Sequence, residues 1–186
     1  EPFTQAAEDA IFADIERTLA RIGVEMDTFF NERDLYEDGQ VWDVVEQLRD
    51  EGYVYEEDGA TWFRTTAFEK DKDTVLVKSS GEPTYRLPDI AYHVGKIERG
   101  FDEIVDVFGA DHIDTIPDVI NAVGALGYDT SNIHVVLYQF VTLVRSGKPV
   151  KMSTRKATYV TLDDLMDEVG DDVTRFFYLM RSPNTH

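Results

Sequence analysis

The sequence contains no cysteine, so disulfide bonds, thiolate metal ligands and a cysteine nucleophile are all excluded. It also lacks an apolar run long enough to span a membrane and the N-terminal pattern of a secretory signal. Basic residues are few, since 18 Lys and Arg stand against 37 Asp and Glu and give a formal net charge of −19. A generally basic surface that coats nucleic acid is therefore excluded. Together these absences favour a cytoplasmic protein that does not act at a membrane.

The residues that are present predict a folded chain. Hydrophobic residues make up 42% and aromatic residues 12% of the 186 positions, which is too rich for a disordered protein and sufficient for a sizeable core. The chain starts at Glu1 and stops at His186 soon after a helical pattern. From these two ends we expect a piece of a longer protein.

The N-terminal part of the chain predicts a small α+β unit. Apolar residues recur at helical spacing from Ile11 to Ile22, and a second helix is predicted over about residues 40–51. Asp58-Gly59 then separates two short aromatic-rich runs, which predicts a tight β-hairpin. Its aromatic side chains form either the core of this unit or a platform for stacking on bases. They are Tyr53, Tyr55, Trp62 and Phe63.

From Thr74 onward, short β-branched runs alternate with amphipathic helices. Strands are predicted at 75–77, 104–108 and 133–137, and a helix lies between each pair. This alternation is typical of an α/β fold with a parallel sheet, and its length suits half of a Rossmann-like, doubly wound sheet with flanking helices. Two further helices are predicted after Thr161. An unpaired edge of such a half-sheet would favour dimerisation.

The most unusual charge pattern is a window without acids. No Asp or Glu occurs between Asp129 and Asp163, although five basic residues do. In so acidic a chain, these cations after a Gly-containing turn suit a loop that binds phosphate. The alternative is a solvated loop beside a buried strand. The five are Arg145, Lys148, Lys151, Arg155 and Lys156.

Two further segments carry candidate site residues. Gly109-Ala110-Asp111-His112 follows a predicted strand, where open α/β sheets bind ligands, although Asp114 or Thr115 could instead cap the next helix. Tyr85 and Asp89 lie four residues apart at a strand-to-helix junction, where a phenol and a carboxylate can hold a cation, a guanidinium in particular. The alternative for Asp89 is a favourable interaction with the helix dipole.

Taken together, these segments resemble the class I arginyl-tRNA synthetases. Lys151-Met152-Ser153-Thr154-Arg155 resembles the KMSKS loop of that class, in the KMSTR form of many arginine enzymes. Other segments follow the order found in the family. They are Gly81–Tyr85, Leu87–His93, Glu98–Asp102, Gly109–His112, Arg175–Phe177 and Arg181–Pro183.

The resemblance implies that the parent protein activates L-arginine with ATP to arginyl-adenylate and transfers it to arginine tRNA. Tyr85 and Asp89 match the positions that bind the arginine side chain, to which we add His112. Gly109, Asp111 and His112 match the segment lining the ATP and amino-acid pocket. The loop of Lys151, Met152, Ser153, Thr154 and Arg155 would close over the triphosphate. The implied ligands are ATP, with Mg as its counter-ion rather than a protein metal site, L-arginine and tRNA.

One position departs from the general KMSKS motif. Thr154 stands where the motif has its second lysine, and Arg155 and Lys156 follow it. We therefore expect Lys151 to be the main catalytic cation, assisted by Arg155 or Lys156. The reaction requires no side-chain nucleophile, because catalysis of nucleotidyl transfer is mainly positioning and electrostatic stabilisation.

The resemblance covers only part of a synthetase. The HIGH motif and the anticodon-binding domain are not found, so we expect the isolated chain to be inactive and most tRNA contacts to lie in absent parts. On this interpretation residues 1–72 form an insertion unit, 73–160 the second half of the catalytic domain, and 161–186 helices leading to the anticodon domain. The alternatives are a non-catalytic module that binds arginine, a nucleotide or a partner, and a synthetase for another amino acid.

Overall fold

The computed structural model describes residues 2–150, 152 and 159–182. The helices are α1 (Pro2–Arg21), α2 (Glu32–Glu37), α3 (Gln40–Asp50), α4 (Arg86–Glu98), α5 (Ile116–Ala125), α6 (Leu162–Val169) and α7 (Asp171–Met180). The strands are β1 (Val54–Glu57), β2 (Ala60–Phe63), β3 (Thr74–Val77), β4 (Ile104–Gly109), β5 (Ile133–Tyr138), β6 (Val144–Arg145) and β7 (Lys148–Pro149). Two compact units result, Phe30–Tyr138 and Glu1–Phe29 with Gln139–His186.

The predicted hairpin is confirmed. Strands β1 and β2 pair antiparallel, and the connecting residues Asp58 and Gly59 both have positive φ, 51° and 74°. Two successive positive φ angles define the type I′ turn, whose twist matches that of the paired strands. Phe63 is fully buried and Tyr53 packs on the same core. This favours the core interpretation over base stacking for these two aromatic residues.

Strand β3 does not belong to the sheet predicted for it. It pairs antiparallel with β2 and completes a three-stranded sheet in the order β1-β2-β3, so the assignment of 75–77 to the parallel sheet is wrong. The physical reason is that Leu76 and Val77 are buried against the core that also holds Phe63. A short β-branched run predicts a strand but does not specify which neighbour it pairs with.

The α/β class with flanking helices is confirmed by β4 and β5. These strands pair in parallel, from Ile104 opposite Ile133 to Gly109 opposite Tyr138, and α5 forms the crossover between them. On β4, Ile104 and Asp106 are buried while Val105 and Val107 are exposed. One face of this pair therefore packs on the core and carries a buried acid.

The core of the Phe30–Tyr138 unit is built from apolar residues of helices α2 to α5 and the antiparallel sheet. Helix α4 contributes Leu87, Ile90 and Ala91, which are at most 2% exposed. Helices α3 and α5 both pack on α4, through apolar residues at helical spacing. Helix α4 is thus held by packing as well as by the polar contacts described below.

In the other unit, α1 and the two C-terminal helices are joined by an ion-pair cluster. The guanidinium of Arg21 lies 2.7 Å from Asp163 and 2.8 Å from both Asp167 and Asp171. Thr161 begins α6 with a capping box, as predicted for the cap, because its hydroxyl accepts from the Asp164 amide and Asp164 accepts from the Thr161 amide. The Gly-containing turn predicted in the acid-free window is also confirmed, as the Ser146-Gly147 tip of the β6–β7 hairpin.

The division of the chain at residues 72 and 160 stays a prediction. The compact units are drawn from contacts and follow different boundaries. None of the helices formed by the described residues is both long and apolar enough to cross a membrane.

We expect Phe63→Ala to lower the free energy of unfolding by about 3–5 kcal/mol, because it leaves a cavity in the core of the Phe30–Tyr138 unit. Urea denaturation of the chain measures this loss. Phe101→Ala is the matched control, since Phe101 is 58% exposed and its removal should cost less than about 1 kcal/mol. Equal losses for the two variants would contradict the packing described here.

Candidate functional site

A small cleft opens beside the first turn of α4. It is lined by Asp89 and His93 from α4, by Phe108 at the end of β4, and by His112 just beyond it. The structure thus brings together Asp89 and His112, two of the three residues predicted to bind arginine. Tyr85 is not part of this cleft, because its side chain is 90% exposed. Its predicted role in binding stays a prediction.

Asp89 is a half-buried carboxylate in the first turn of α4. Among the described residues, no hydrogen bond or ion pair reaches its side-chain oxygens. Burial raises the pKa of Asp89, while the nearby His93, His112 and Lys96 act in the opposite direction. Burial dominates, so the charged form of Asp89 is destabilised. A ligand with a positive charge would relieve this penalty.

A buried histidine connects the backbone of Asp89 to strand β4. The His93 side chain is buried, with Nδ1 2.7 Å from the Asp89 carbonyl oxygen and Nε2 2.8 Å from Oδ2 of Asp106. Lys96 donates to the other Asp106 oxygen. Burial alone would raise the pKa of Asp106, but the hydrogen bonds from His93 and Lys96 outweigh it and hold that pKa below its usual range.

A second buried carboxylate fixes the start of α4. Asp118 on α5 accepts a hydrogen bond from Nε of Arg86 at 2.9 Å and from the Thr74 hydroxyl at 3.3 Å. Nζ of Lys70 lies 3.1 Å from its other oxygen, which is an ion pair without a well-aligned hydrogen bond. Arg86 is the first residue of α4, so this cluster sets the position of the helix turn that carries Asp89.

Beyond β4 the chain forms a single 3₁₀ turn, Ala110–His112. The His112 ring stacks on Phe108 with a centroid separation of 5.4 Å, and the Asp111 and His112 side chains are both exposed. Thr115 precedes α5, but its hydroxyl donates to the His112 carbonyl and does not cap the helix. Helix capping by Thr115 therefore does not account for this segment. The predicted ATP-binding role of Gly109, Asp111 and His112 stays a prediction.

Most of the basic loop lies outside the described residues. This applies to Lys151, Ser153, Thr154, Arg155 and Lys156, so their predicted roles in phosphate binding stay predictions. Met152 is described and is 42% exposed. In the preceding hairpin, Arg145 forms an ion pair with Glu168. Among the described residues, no group of three or more His, Asp or Glu side chains is placed to hold a metal ion.

Sequence reasoning missed His93, Asp106 and Asp118. A signal existed for each, because His93 follows Asp89 by four residues on the same helix face. Asp106 interrupts an otherwise apolar strand at an inward position. Asp118 interrupts an apolar helix pattern near the start of α5. A single acid within an apolar pattern predicts a buried ion pair, although its partner cannot be read from the pattern.

The comparisons with known proteins converge on one family. Residues 3–178 match the family model described as the catalytic domain of class I (R) tRNA synthetases. The arginine–tRNA ligase of Salinibacter ruber is 63% identical over 185 residues, and that of Desulfotalea psychrophila is 58% identical. Both alignments cover 100% of this chain but only 33% and 34% of the relatives. The chain therefore spans about a third of the length of the relatives it matches.

A solved structure supports the same relationship. The crystal structure from Campylobacter jejuni that carries the name arginyl tRNA synthetase superposes with a TM-score of 0.86 at 30% sequence identity. The match covers 98% of this chain and 39% of that one. The fold described here is thus similar to part of a larger chain.

We expect Asp89→Asn to raise the thermal midpoint of the chain at pH 7, because it removes a carboxylate whose pKa is raised by burial. Because its folded-state pKa is raised, Asp89 makes its full contribution to the free energy of unfolding below its ordinary pKa of 3.8. That contribution is lost as pH rises through the folded-state pKa. The gain from Asp89→Asn should therefore disappear on acidification. Asp102→Asn, at an exposed position, is the control, and a lower midpoint for Asp89→Asn at pH 7 would contradict the burial of an unpaired charge.

Proposed function

Because the chain belongs to the family of class I (R) tRNA synthetase catalytic domains, we propose that it supplies the arginine-binding part of the active site of an arginyl-tRNA synthetase. The parent protein would activate L-arginine with ATP and transfer it to arginine tRNA. One observation carries the assignment of the amino-acid site to the α4 cleft. Asp89 presents a half-buried carboxylate there, and its ionised form is destabilised until a cation arrives.

A guanidinium group suits this carboxylate better than an ammonium group. Its planar donors can form two parallel hydrogen bonds to one carboxylate, and it stays charged at any physiological pH. Phe108 and the His112 ring stacked on it provide flat surfaces at the edge of the same cleft. The proposed role of Tyr85 in binding arginine follows from the family resemblance. Its exposed ring would have to turn toward the cleft to contact the ligand.

The chemical step requires cations near the phosphates rather than a protein nucleophile. A carboxylate oxygen of arginine attacks the α-phosphorus of ATP, the bond to the bridging oxygen breaks, and pyrophosphate leaves. Negative charge develops on the α-phosphate and on the departing group, so positioned cations stabilise the transition state. We propose Lys151 for this role with Arg155 or Lys156, and Gly109, Asp111 and His112 beside the nucleotide. ATP would bring Mg as its counter-ion.

The Rossmann-like organisation of the catalytic domain is part of the same proposal. Strands β4 and β5 would be two parallel strands of a larger sheet, whose carboxyl ends bear the ATP-binding segment. The exposed valines on one face of β4 are compatible with this, because parallel sheets are normally covered on both faces. Contacts with tRNA would come mainly from the remaining two thirds of the parent protein.

In the parent synthetase, we expect Asp89→Asn to raise the KM for arginine at least tenfold in ATP–pyrophosphate exchange. The physical reason is the loss of a charged hydrogen-bonded pair with the substrate. The KM for ATP should change little. Asp102→Asn, an exposed acid of the same unit, is the matched control. An unchanged KM for arginine in Asp89→Asn would overturn the assignment of this cleft.

The isolated 186-residue chain should not form arginyl-adenylate. The proposed site is one part of a catalytic domain, and the chain spans only a third of its relatives. Pyrophosphate exchange with arginine, ATP and cognate tRNA tests this, and arginine-dependent exchange above background would refute it. Calorimetry with arginine and with citrulline, which lacks the positive charge, then tests whether the chain is a non-catalytic binding module. Tighter binding of arginine, lost in Asp89→Asn, supports guanidinium recognition in either case.

A further inference from the structure

His93 occupies a position that neither the proposed binding role of Asp89 nor the phosphate-binding loop explains. Its side chain is about 3% exposed and is held at both ring nitrogens, between a helix carbonyl and a strand carboxylate. The carbonyl of Asp89 can only accept a hydrogen bond, and so can an ionised Asp106. The ring thus lies between these two groups, and Nζ of Lys96 is 3.3 Å from the same Nε2.

The bond to Asp89 acts on the residue that would bind the substrate. It reaches the backbone carbonyl of Asp89 rather than its carboxylate, so it restrains the helix turn and leaves the carboxylate available to a ligand. Asp106 lies three residues before Gly109, where the proposed nucleotide segment begins. The chain of contacts from Asp89 through His93 to Asp106 thus joins the amino-acid cleft to the strand that carries this segment.

The contacts around Asp106 make this link rigid. Its side chain is buried, one oxygen accepts from His93, and the other accepts from Lys96. Lys96 is in turn placed over the Tyr92 ring, 4.8 Å from its centroid. Removing one member leaves a buried charge or donor without its partner, which favours a single arrangement of the three side chains.

Resting on the proposed function, we propose that His93 is a positioning residue for arginine activation. It fixes the position of the helix turn of Asp89 relative to β4. The Asp89 carboxylate, which would bind the guanidinium, and the nucleotide segment then keep the separation that the reaction needs. Displacement of a reacting group by about 1 Å can cost on the order of a hundredfold in rate. His93 itself does not contact the reacting atoms.

The test uses the full-length parent synthetase with two substitutions of His93. His93→Gln places an amide donor near the former Nε2 and keeps the bond to Asp106, whereas His93→Asn places one near Nδ1 and keeps the bond to Asp89. Each variant breaks the link at one end and removes little buried volume. His134→Gln is the matched control, because His134 is exposed on β5 and lies outside the link.

We expect both His93 variants to raise the KM for arginine about tenfold and to lower kcat, with the KM for ATP within twofold of wild type. His134→Gln should match wild type. A purely structural role would reduce the amount of folded enzyme, which lowers the apparent kcat and leaves both KM values unchanged; that result overturns the proposal. If one variant does not fold, the other gives the same comparison, and Asp106→Asn should reproduce the effect.

The same assay separates this inference from the proposed function. If Asp89→Asn raises the KM for arginine and the His93 variants do not, only the positioning role fails. If Asp89→Asn also leaves the KM for arginine unchanged, the assignment of the cleft fails as well. In the double variant His93→Gln with Asp106→Asn, the rise in the KM for arginine should be no larger than that in either single variant, because the two residues act as one unit.

Discussion

The position of helix α4 depends on two buried carboxylates. Asp118 holds the first residue of the helix through Arg86, and Asp106 holds its second turn through His93. Burying a charge costs several kcal/mol, and well-placed partners offset that cost without a large net gain in stability. What these pairs supply is a specific geometry, because each carboxylate has oriented donors from a different element. Asp89 lies between the two anchored points and is thereby fixed.

The contrast between these acids and Asp89 defines the site. Asp106 is buried with hydrogen bonds to both of its oxygens, from His93 and Lys96, and its pKa is lowered. Asp89 is partly buried without such donors among the described residues, and its pKa is raised. The pKa values of Asp89 on α4 and Asp106 on β4 thus shift in opposite directions, because only the charge of Asp106 is compensated by donors among the described residues. The uncompensated acid is the one that faces the cleft.

Local patterns in the sequence predicted most of the secondary structure but not every pairing. Helical spacing of apolar residues predicted α3 to α7, and Asp58-Gly59 predicted the hairpin, because these features depend on neighbours within a few residues. The pairing of β3 with β2 depends on a packing choice between distant segments, so the run at 75–77 was assigned to the wrong sheet. Asp89 and His112 could be found from their position at strand ends. His93 was missed although its spacing from Asp89 was a signal, because a histidine on an apolar helix face predicts burial and does not reveal its partners.

On the proposed function, the net charge of −19 would not by itself oppose the binding of ATP. At physiological ionic strength the Debye length is about 8 Å, so exposed acids farther away than this are largely screened from the phosphates. The charge within a few ångströms matters most. The stretch between Asp129 and Asp163 contributes no acid of its own, although Arg145 pairs with Glu168 of α6. The acid-free window and Asp89 would then serve the two substrates separately, cations for the triphosphate and one carboxylate for the guanidinium. The link through His93 and Asp106 is what would keep the carboxylate and the nucleotide-binding strand end at a constant separation.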